Sequence, residues 1–279
     1  MSVKRAPLLR VISAFLIALL LQTPAGAVIS RPVLTARAAI VIDARNGGVL
    51  YSKNPRLRLP PASTAKVMTA LIAIQRLPLD TKIRISVNAG NVSPSKAGLT
   101  PGEEYLMRDL LIATLVASSN DAAVALAEAV SGDEDGFTDL MNAKARELGM
   151  NDTRFVNATG LPDRIHRRKQ YSTAYDLTCL IRRASRDRRL DWIMGLTKAS
   201  FTGSDRKRIE VKSHNKMLFR MPKFVKGKTG WTYASRHTFV GTDYPPNKKI
   251  LFAMLSSTEP WSDIERLALF GLDRNSRTA

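Results

Sequence analysis

The chain has a single cysteine in 279 residues, Cys179. That excludes a small scaffold held together by internal disulfides. Cys179 falls in the helical pattern Tyr175-Asp176-Leu177-Thr178-Cys179-Leu180-Ile181, where a thiol reads as a buried, inert packing group. Acids are also scarce, with 24 Asp and Glu against 43 Lys and Arg, giving a formal net charge of +19. There is no internal repeat and no low-complexity linker. After the first 27 residues there is no second long apolar run, so the remainder is expected to be soluble or peripheral to a membrane.

The first residues are of a different kind. Lys4, Arg5 and Arg10 come without an acid, Val11 to Leu21 is apolar apart from Ser13, and Ala25-Gly26-Ala27 supplies small residues. These are the three parts of a secretory signal, with cleavage expected near Ala27. An uncleaved anchor is the alternative, but the apolar stretch is short against the roughly 20 residues of a membrane span. Residues 28–279 then form the expected exported domain and keep a net charge of +16. The excess cations cluster at Arg164 to Lys169, Arg182 to Arg189, Arg206 to Lys212 and Lys216 to Lys228. Such a field draws polyanions, which outside the cytoplasm means anionic wall polymers or a membrane surface. A solvated basic surface without a partner is the plainer reading. Nucleic acid is set aside, because no binding motif accompanies the charge and the leader points to export.

Ala38 to Asp43 and Gly48 to Ser52 read as strands joined through Asn46-Gly47, a hairpin signal. Thr64 to Arg76, Arg108 to Ala117, Asp121 to Val130, Phe137 to Leu148 and Thr173 to Arg186 read as helices. Thr81 to Ser86 alternates as a strand, and Asn88 to Gly102 is rich in loop residues. Phe224-Val225, Thr238 to Gly241 and Ile250 to Ser256 read as strands, and Trp261 to Phe270 as a closing helix. The pattern predicts an α+β domain: one antiparallel sheet from both strand groups, a helical block against it, and a cleft where they meet.

Three short motifs could meet in that cleft. Ser63-Thr64-Ala65-Lys66 opens the first helix. Positions three apart on a helix are neighbours, and a lysine whose pKa is lowered can take the proton of a serine nucleophile. Ser118-Ser119-Asn120 lies between two helices; a hydroxyl and a carboxamide there can face a ligand, or simply cap the next helix. Lys228-Thr229-Gly230 falls on a late strand, with Lys228 and Gly230 on one face. There the lysine offers charge and the glycine close approach to the backbone, or the lysine is one more surface cation.

The set in this order resembles the serine-type penicillin-binding proteins, and among them the low-molecular-mass D-alanyl-D-alanine carboxypeptidases. The wording around the motifs matches too. Pro60 to Ala70, Ser118 to Glu128, Phe155 to Pro162, Ser172 to Leu177, His214-Asn215-Lys216 and Lys228 to Thr232 are all typical of that family. The resemblance spans about Ala38 to Ser256 and implies the penicillin-binding protein/β-lactamase-like transpeptidase fold.

It also implies removal of the terminal D-Ala from peptidoglycan stem pentapeptides through an acyl-enzyme on Ser63. Lys66 is then the base and Ser118 the proton donor to the leaving amine. Asn120, Lys228, Thr229, Gly230 and His214 bind substrate, Lys228 and Thr229 receiving the terminal carboxylate or supporting the proton relay, and the backbone N–H groups of Ser63 and Trp231 form the oxyanion hole. No metal or organic cofactor is implied. β-Lactam antibiotics would acylate Ser63.

Two positions depart from the family pattern. Lys226-Gly227 stands where a Gly followed by an apolar residue is usual, which puts extra charge at the cleft rim. His214 stands where some members have a carboxylate-binding Arg. The chain ends soon after the closing helix, so the second β-rich domain and amphipathic anchor of many relatives are not expected. A D,D-endopeptidase that cuts cross-links shares the same motifs. A class A β-lactamase fits less well, since Ser119 replaces its Asp and no Glu falls near Asn157 to Asp163. A wall-binding module without turnover would have no use for Ser63, Lys66 and Lys228.

Overall fold

All six residues of strand β1 (Ala38–Asp43) are buried, which requires protein on both faces of the sheet it belongs to. In the computed structural model, which describes residues 30–163, 165–221, 225–243 and 250–277, that is the arrangement found. The expected leader at 1–27, Arg164 of the basic loop and Phe224 of a predicted strand lie outside the described residues. Strand β1 turns through Asn46-Gly47 into β2 (Val49–Lys53), with Gly47 at a φ of +81° and the Asn46 side chain accepting from the Gly48 N–H at 2.7 Å. A short 3-10 turn, Ala62–Ala65, leads into α1 (Lys66–Arg76). Next come β3 (Lys82–Arg84) and α2 (Val87–Asn91), then β4 (Glu104–Leu106), which pairs with β3. Helices α3 (Met107–Val116), α4 (Asn120–Ser131), α5 (Glu134–Glu147) and α6 (Ala174–Ala184) complete the helical block.

A short α7 (Arg188–Ile193) precedes the hairpin β5 (Lys198–Thr202) and β6 (Arg208–Lys212), then α8 (Met217–Arg220). Strands β7 (Lys226–Thr232), β8 (Arg236–Thr242) and β9 (Ile250–Ser257) and helix α9 (Pro260–Arg277) close the fold. Among the described residues the main sheet is five-stranded and antiparallel, in the order β2-β1-β9-β8-β7. The period-two alternation divides its side chains between two cores. Ala38, Ile40, Ile42, Leu251, Ala253 and Leu255 pack with the helical block. Ala39, Val41, Phe252 and Met254 pack with Ile264, Leu267 and Phe270 of α9.

The expected single sheet, helical block and closing helix are therefore present. The β5–β6 hairpin, β4, α2 and α7 were not foreseen, because such short segments carry little periodic signal. Cys179 is partly exposed at the edge of the core rather than fully buried, and burial raises its thiol pKa.

The start of the described chain is fastened by one carboxylate. Asp263 in α9 is fully buried and accepts from the Thr35 N–H (3.1 Å), the Thr35 hydroxyl (2.7 Å), the Ala36 N–H (2.8 Å) and the Ser257 hydroxyl (2.7 Å). Asp263→Ala strands those donors and should cost about 3 kcal/mol, read as a lower urea midpoint at unchanged slope. A midpoint within error of the parent would show that the staple contributes nothing.

Candidate active site

Two glycines let the Ser63 turn sit where it does. A Cβ on Gly160 would lie 1.9 Å from the Ala62 carbonyl oxygen, and one on Gly230 would lie 2.7 Å from the Ser63 nitrogen. Gly160 also holds a φ of +81°, which a side chain disfavours. The Pro61 carbonyl is gripped by the Thr64 hydroxyl at 2.7 Å and by the Thr238 hydroxyl of β8 at 2.9 Å. The nucleophile candidate is thus wedged between the loop around Gly160 and β7. Strand β7 ends the sheet order, so its outer edge is open beside Ser63, the situation in which an extended peptide can add as a further strand.

The 3-10 turn passes directly into α1, and this sets Lys66 one turn from Ser63. The amine is fully buried and contacts three oxygens: Ser63 Oγ at 3.0 Å, Asn120 Oδ1 at 2.6 Å and the Thr159 carbonyl at 2.8 Å. Burial pushes its pKa well below the usual value, the Lys228 charge pushes it further, and Asp121 and Glu134 oppose them. A neutral amine has two N–H bonds and one lone pair. The carboxamide oxygen and the carbonyl can only accept, so they take both N–H bonds. In that neutral form the lone pair is left for the Ser63 hydroxyl to donate to.

Ser118 has a φ of +59°. Its hydroxyl faces Lys228, whose Nζ lies 2.8 Å from Ser118 Oγ and 2.8 Å from the Thr229 carbonyl. Lys228 is 1% exposed, and burial brings its pKa down to about 7. Simple helix capping does not account for the Ser118-Ser119-Asn120 triplet: Ser119 occupies the cap position and makes no capping hydrogen bond. Asn120 is held on both sides, with Oδ1 accepting from Lys66 and Nδ2 donating to the Pro94 carbonyl, while its own N–H donates to Ser95 at 2.8 Å. Asp121 fixes the loop behind it, accepting from the N–H groups of Ala97, Gly98 and Leu99 at 3.0, 2.9 and 3.2 Å.

Thr229 is half-exposed on β7. The Trp231 ring is exposed and lies 4.9 Å from that of Tyr233. His214 is exposed, its backbone N–H donating to the Val116 carbonyl at 3.3 Å, two residues before Ser118. The protein around its exposed ring, then Lys228 and Lys66, hold its pKa below the ordinary value. That direction favours the neutral ring.

The expectation for Lys226-Gly227 needs correcting. Lys226 does not add charge at the cleft rim; it is 2% exposed and ion-paired with Asp191 of α7. It shares the inner face of β7 with Lys228 and Gly230, and a carboxylate from an unforeseen short helix compensates it.

Sequence reasoning used Phe155 to Pro162 for the resemblance but gave Thr159 and Gly160 no role in the site. Asn157 Oδ1 organises it by accepting from the N–H groups of Thr159 (3.2 Å) and Gly160 (2.8 Å), and Glu134 accepts from the Ala158 N–H at 2.9 Å. Its signal was an Asn two residues before Thr-Gly, the composition of an Asx turn. The basic stretch that follows is an exposed loop at 165–167, and Arg168 beyond it pairs with Asp163 at 2.6 Å and Asp135 at 2.9 Å. A cavity of about 380 Å³ opens between Gly160, Tyr171 and Thr232. Another of about 560 Å³ opens between Pro94, Thr159 and Glu134. Both lie beside the serine–lysine pair rather than over it.

The lowered Lys228 pKa has a consequence for stability. The unfolded chain holds that proton up to about pH 10.4 and the folded chain releases it near 7. Between those values the unfolded state binds more protons, so stability rises with pH across the window. The gain in unfolding free energy from pH 7 to pH 9, measured in urea, should shrink in Lys228→Met; an unchanged gain would exclude a depressed Lys228.

Residues 26–258 match the family model described as D-alanyl-D-alanine carboxypeptidase. The chain is 31% identical over 230 residues to D-alanyl-D-alanine carboxypeptidase DacF of Bacillus subtilis, covering 81% of this chain and 58% of that protein. It is 32% identical over 245 residues to a D-alanyl-D-alanine endopeptidase of Escherichia coli, covering 85% of this chain and 76% of the relative. Its fold matches the crystal structure of a D-alanyl-D-alanine carboxypeptidase from Mycobacterium tuberculosis H37Rv, with a TM-score of 0.81 at 31% identity, over 88% of this chain and 94% of the other.

Proposed function

The chain belongs to the peptidase S11, D-alanyl-D-alanine carboxypeptidase family, and from that premise we propose an exported serine peptidase that removes the terminal D-Ala of peptidoglycan stem pentapeptides. The observation that carries this reading is the buried Lys66 amine 3.0 Å from Ser63 Oγ, its other two neighbours being oxygens that can only accept.

The stem peptide lies along the open edge of β7. Ser63 Oγ attacks the carbonyl carbon of the penultimate D-Ala, and its proton passes to Lys66. Negative charge develops on the carbonyl oxygen, where the N–H groups of Ser63 and Trp231 receive it. Losing one such donor costs roughly 3 kcal/mol of barrier in comparable hydrolases. The C–N bond then breaks. Ser118 protonates the departing D-Ala amine and is resupplied by Lys228, whose pKa of about 7 suits it to give and take a proton near neutrality. Lys66 then gives up the proton it took from Ser63 and Lys228 takes one back, which resets both amines. Water next attacks the Ser63 ester, its proton passing to Lys66, which returns it to Ser63 Oγ as the acyl–oxygen bond breaks, and the shortened peptide leaves.

Asn120 keeps one amide N–H for a substrate carbonyl, since its other groups hold Lys66 and Pro94. Lys228 is too buried and too committed to grip a carboxylate, which supports the relay role for it and leaves the terminal carboxylate to Thr229 and the rim at His214. A β-lactam would be attacked in the same way and remain on Ser63 as an ester.

The second reading, a D,D-endopeptidase, is favoured by the Escherichia coli endopeptidase, which matches over more of this chain than the carboxypeptidase DacF does. A synthetic pentapeptide and a cross-linked dimer separate the two. The carboxypeptidase reading predicts a higher kcat/KM for D-Ala release from the pentapeptide; preferential splitting of the dimer would overturn it in favour of the endopeptidase. Ser63→Ala should keep the parental melting temperature, take no covalent penicillin, and lose about 10⁴-fold or more in turnover. Parental turnover in that variant would remove Ser63 as the nucleophile.

A further inference from the structure

A cavity of about 410 Å³ lies where α6 meets the β1–β2 turn and the end of α5. None of its lining residues belongs to the serine–lysine cluster. Three guanidiniums line it, those of Arg182, Arg183 and Arg186, beside Ile42, Tyr175 and Cys179. Arg182 and Arg183 are half-buried. Among the described residues none of the three reaches a carboxylate, and Arg182 has one long hydrogen bond, 3.5 Å to the Asp43 carbonyl. By contrast Arg45, Arg58, Arg168 and Arg189 reach Asp oxygens at 2.8, 2.6, 2.6 and 2.7 Å. The carboxylate that does line the cavity, Glu147, is exposed and paired with Lys144 at 2.5 Å.

Partial burial of unpaired cations costs desolvation energy that a counter-charge recovers. Arg182 and Arg183 stand in the last turn of α6, where the helix dipole favours cations. That accounts for their sign but not for a concave site, nor for Arg186 beyond the helix end. Arg56 adds a further cation close by, stacked 4.4 Å over the Tyr175 ring. Guanidinium forks match phosphate oxygens in pairs, and three of them exceed what one carboxylate needs. The volume equals about a dozen water molecules at their share of the liquid, which leaves space beyond the anion, against Ile42 and Tyr175. We infer that this cavity is a binding site for a phosphate ester, a phosphate group carrying a small polar organic substituent.

The test uses the purified full chain at constant ionic strength, with sodium chloride as the reference salt. Glycerol phosphate is titrated by calorimetry, and vesicles of phosphatidylglycerol or phosphatidylcholine are sedimented with the protein. Glycerol phosphate is expected to bind the parent and to weaken at least about tenfold in the combined variant Arg182→Gln, Arg183→Gln, Arg186→Gln. The single variant Arg186→Gln, at an exposed position, should show a smaller loss and guards against misfolding of the triple. A control that removes equal charge from other exposed positions, Lys82→Gln, Arg188→Gln, Lys198→Gln, should bind as the parent does. Turnover of a small peptide should be the same in all of them, so failure here is distinct from failure of the peptidase reading. Arginine-dependent binding of phosphatidylglycerol vesicles without binding of glycerol phosphate would identify the ester as a lipid headgroup. Equal losses in the cavity and control triples, or no binding of either probe by the parent, would overturn the site.

Discussion

The burial of one amine sets the terms for everything around it. Lys66 has no access to water, and its Nζ is surrounded by a hydroxyl, a carboxamide oxygen and a backbone carbonyl. In that setting the charged form is penalised, and the direction of the lone pair is decided by which neighbours can donate. Asn120 and Thr159 therefore act by position. Their oxygens leave a single direction for the free electron pair, and it points at Ser63.

Holding those acceptors requires three separate parts of the chain. Asn120 is fixed by Pro94 and Ser95 in the loop that Asp121 fastens from below. Thr159 belongs to the Asn157 turn, tied to Glu134 at the start of α5. Ser63 is fixed from the sheet side by Thr238 and by the close approach of Gly230. Each tie is an ordinary hydrogen bond or a missing Cβ, yet a displacement of about 1 Å in any of them can cost on the order of 100-fold in a reaction that depends on alignment.

The three buried lysines show how context divides one residue type. Lys226 keeps a carboxylate partner, Asp191, and serves as structure on the inner face of β7. Two positions on, Lys228 has a hydroxyl and a carbonyl as neighbours, and its pKa falls to about 7. Lys66 is also held well below its usual value, by burial first and then by the Lys228 charge. Several outward-facing arginines extend the contrast: Arg45, Arg58, Arg168 and Arg189 meet an aspartate, while those of the α6 cavity do not.

From the sequence alone the three motifs, their order, the sheet with its helical block and the depressed Lys66 were all legible, because each is written in local spacing and residue type. Ser63 and Lys66 are neighbours by helix geometry, and the strand alternation fixes Lys228 and Gly230 on one face. Tertiary structure decided what depends on contacts between distant segments. Thr159 and Gly160 enter the site as a carbonyl and a missing Cβ, which no side-chain pattern reveals. Ser118 proved to face Lys228 instead of capping a helix, and Lys226 turned inward because Asp191, 35 positions away, was there to meet it. Spacing along a chain records which groups can share a face; whether a buried charge is compensated or left to lose its proton depends on what the rest of the fold brings to it.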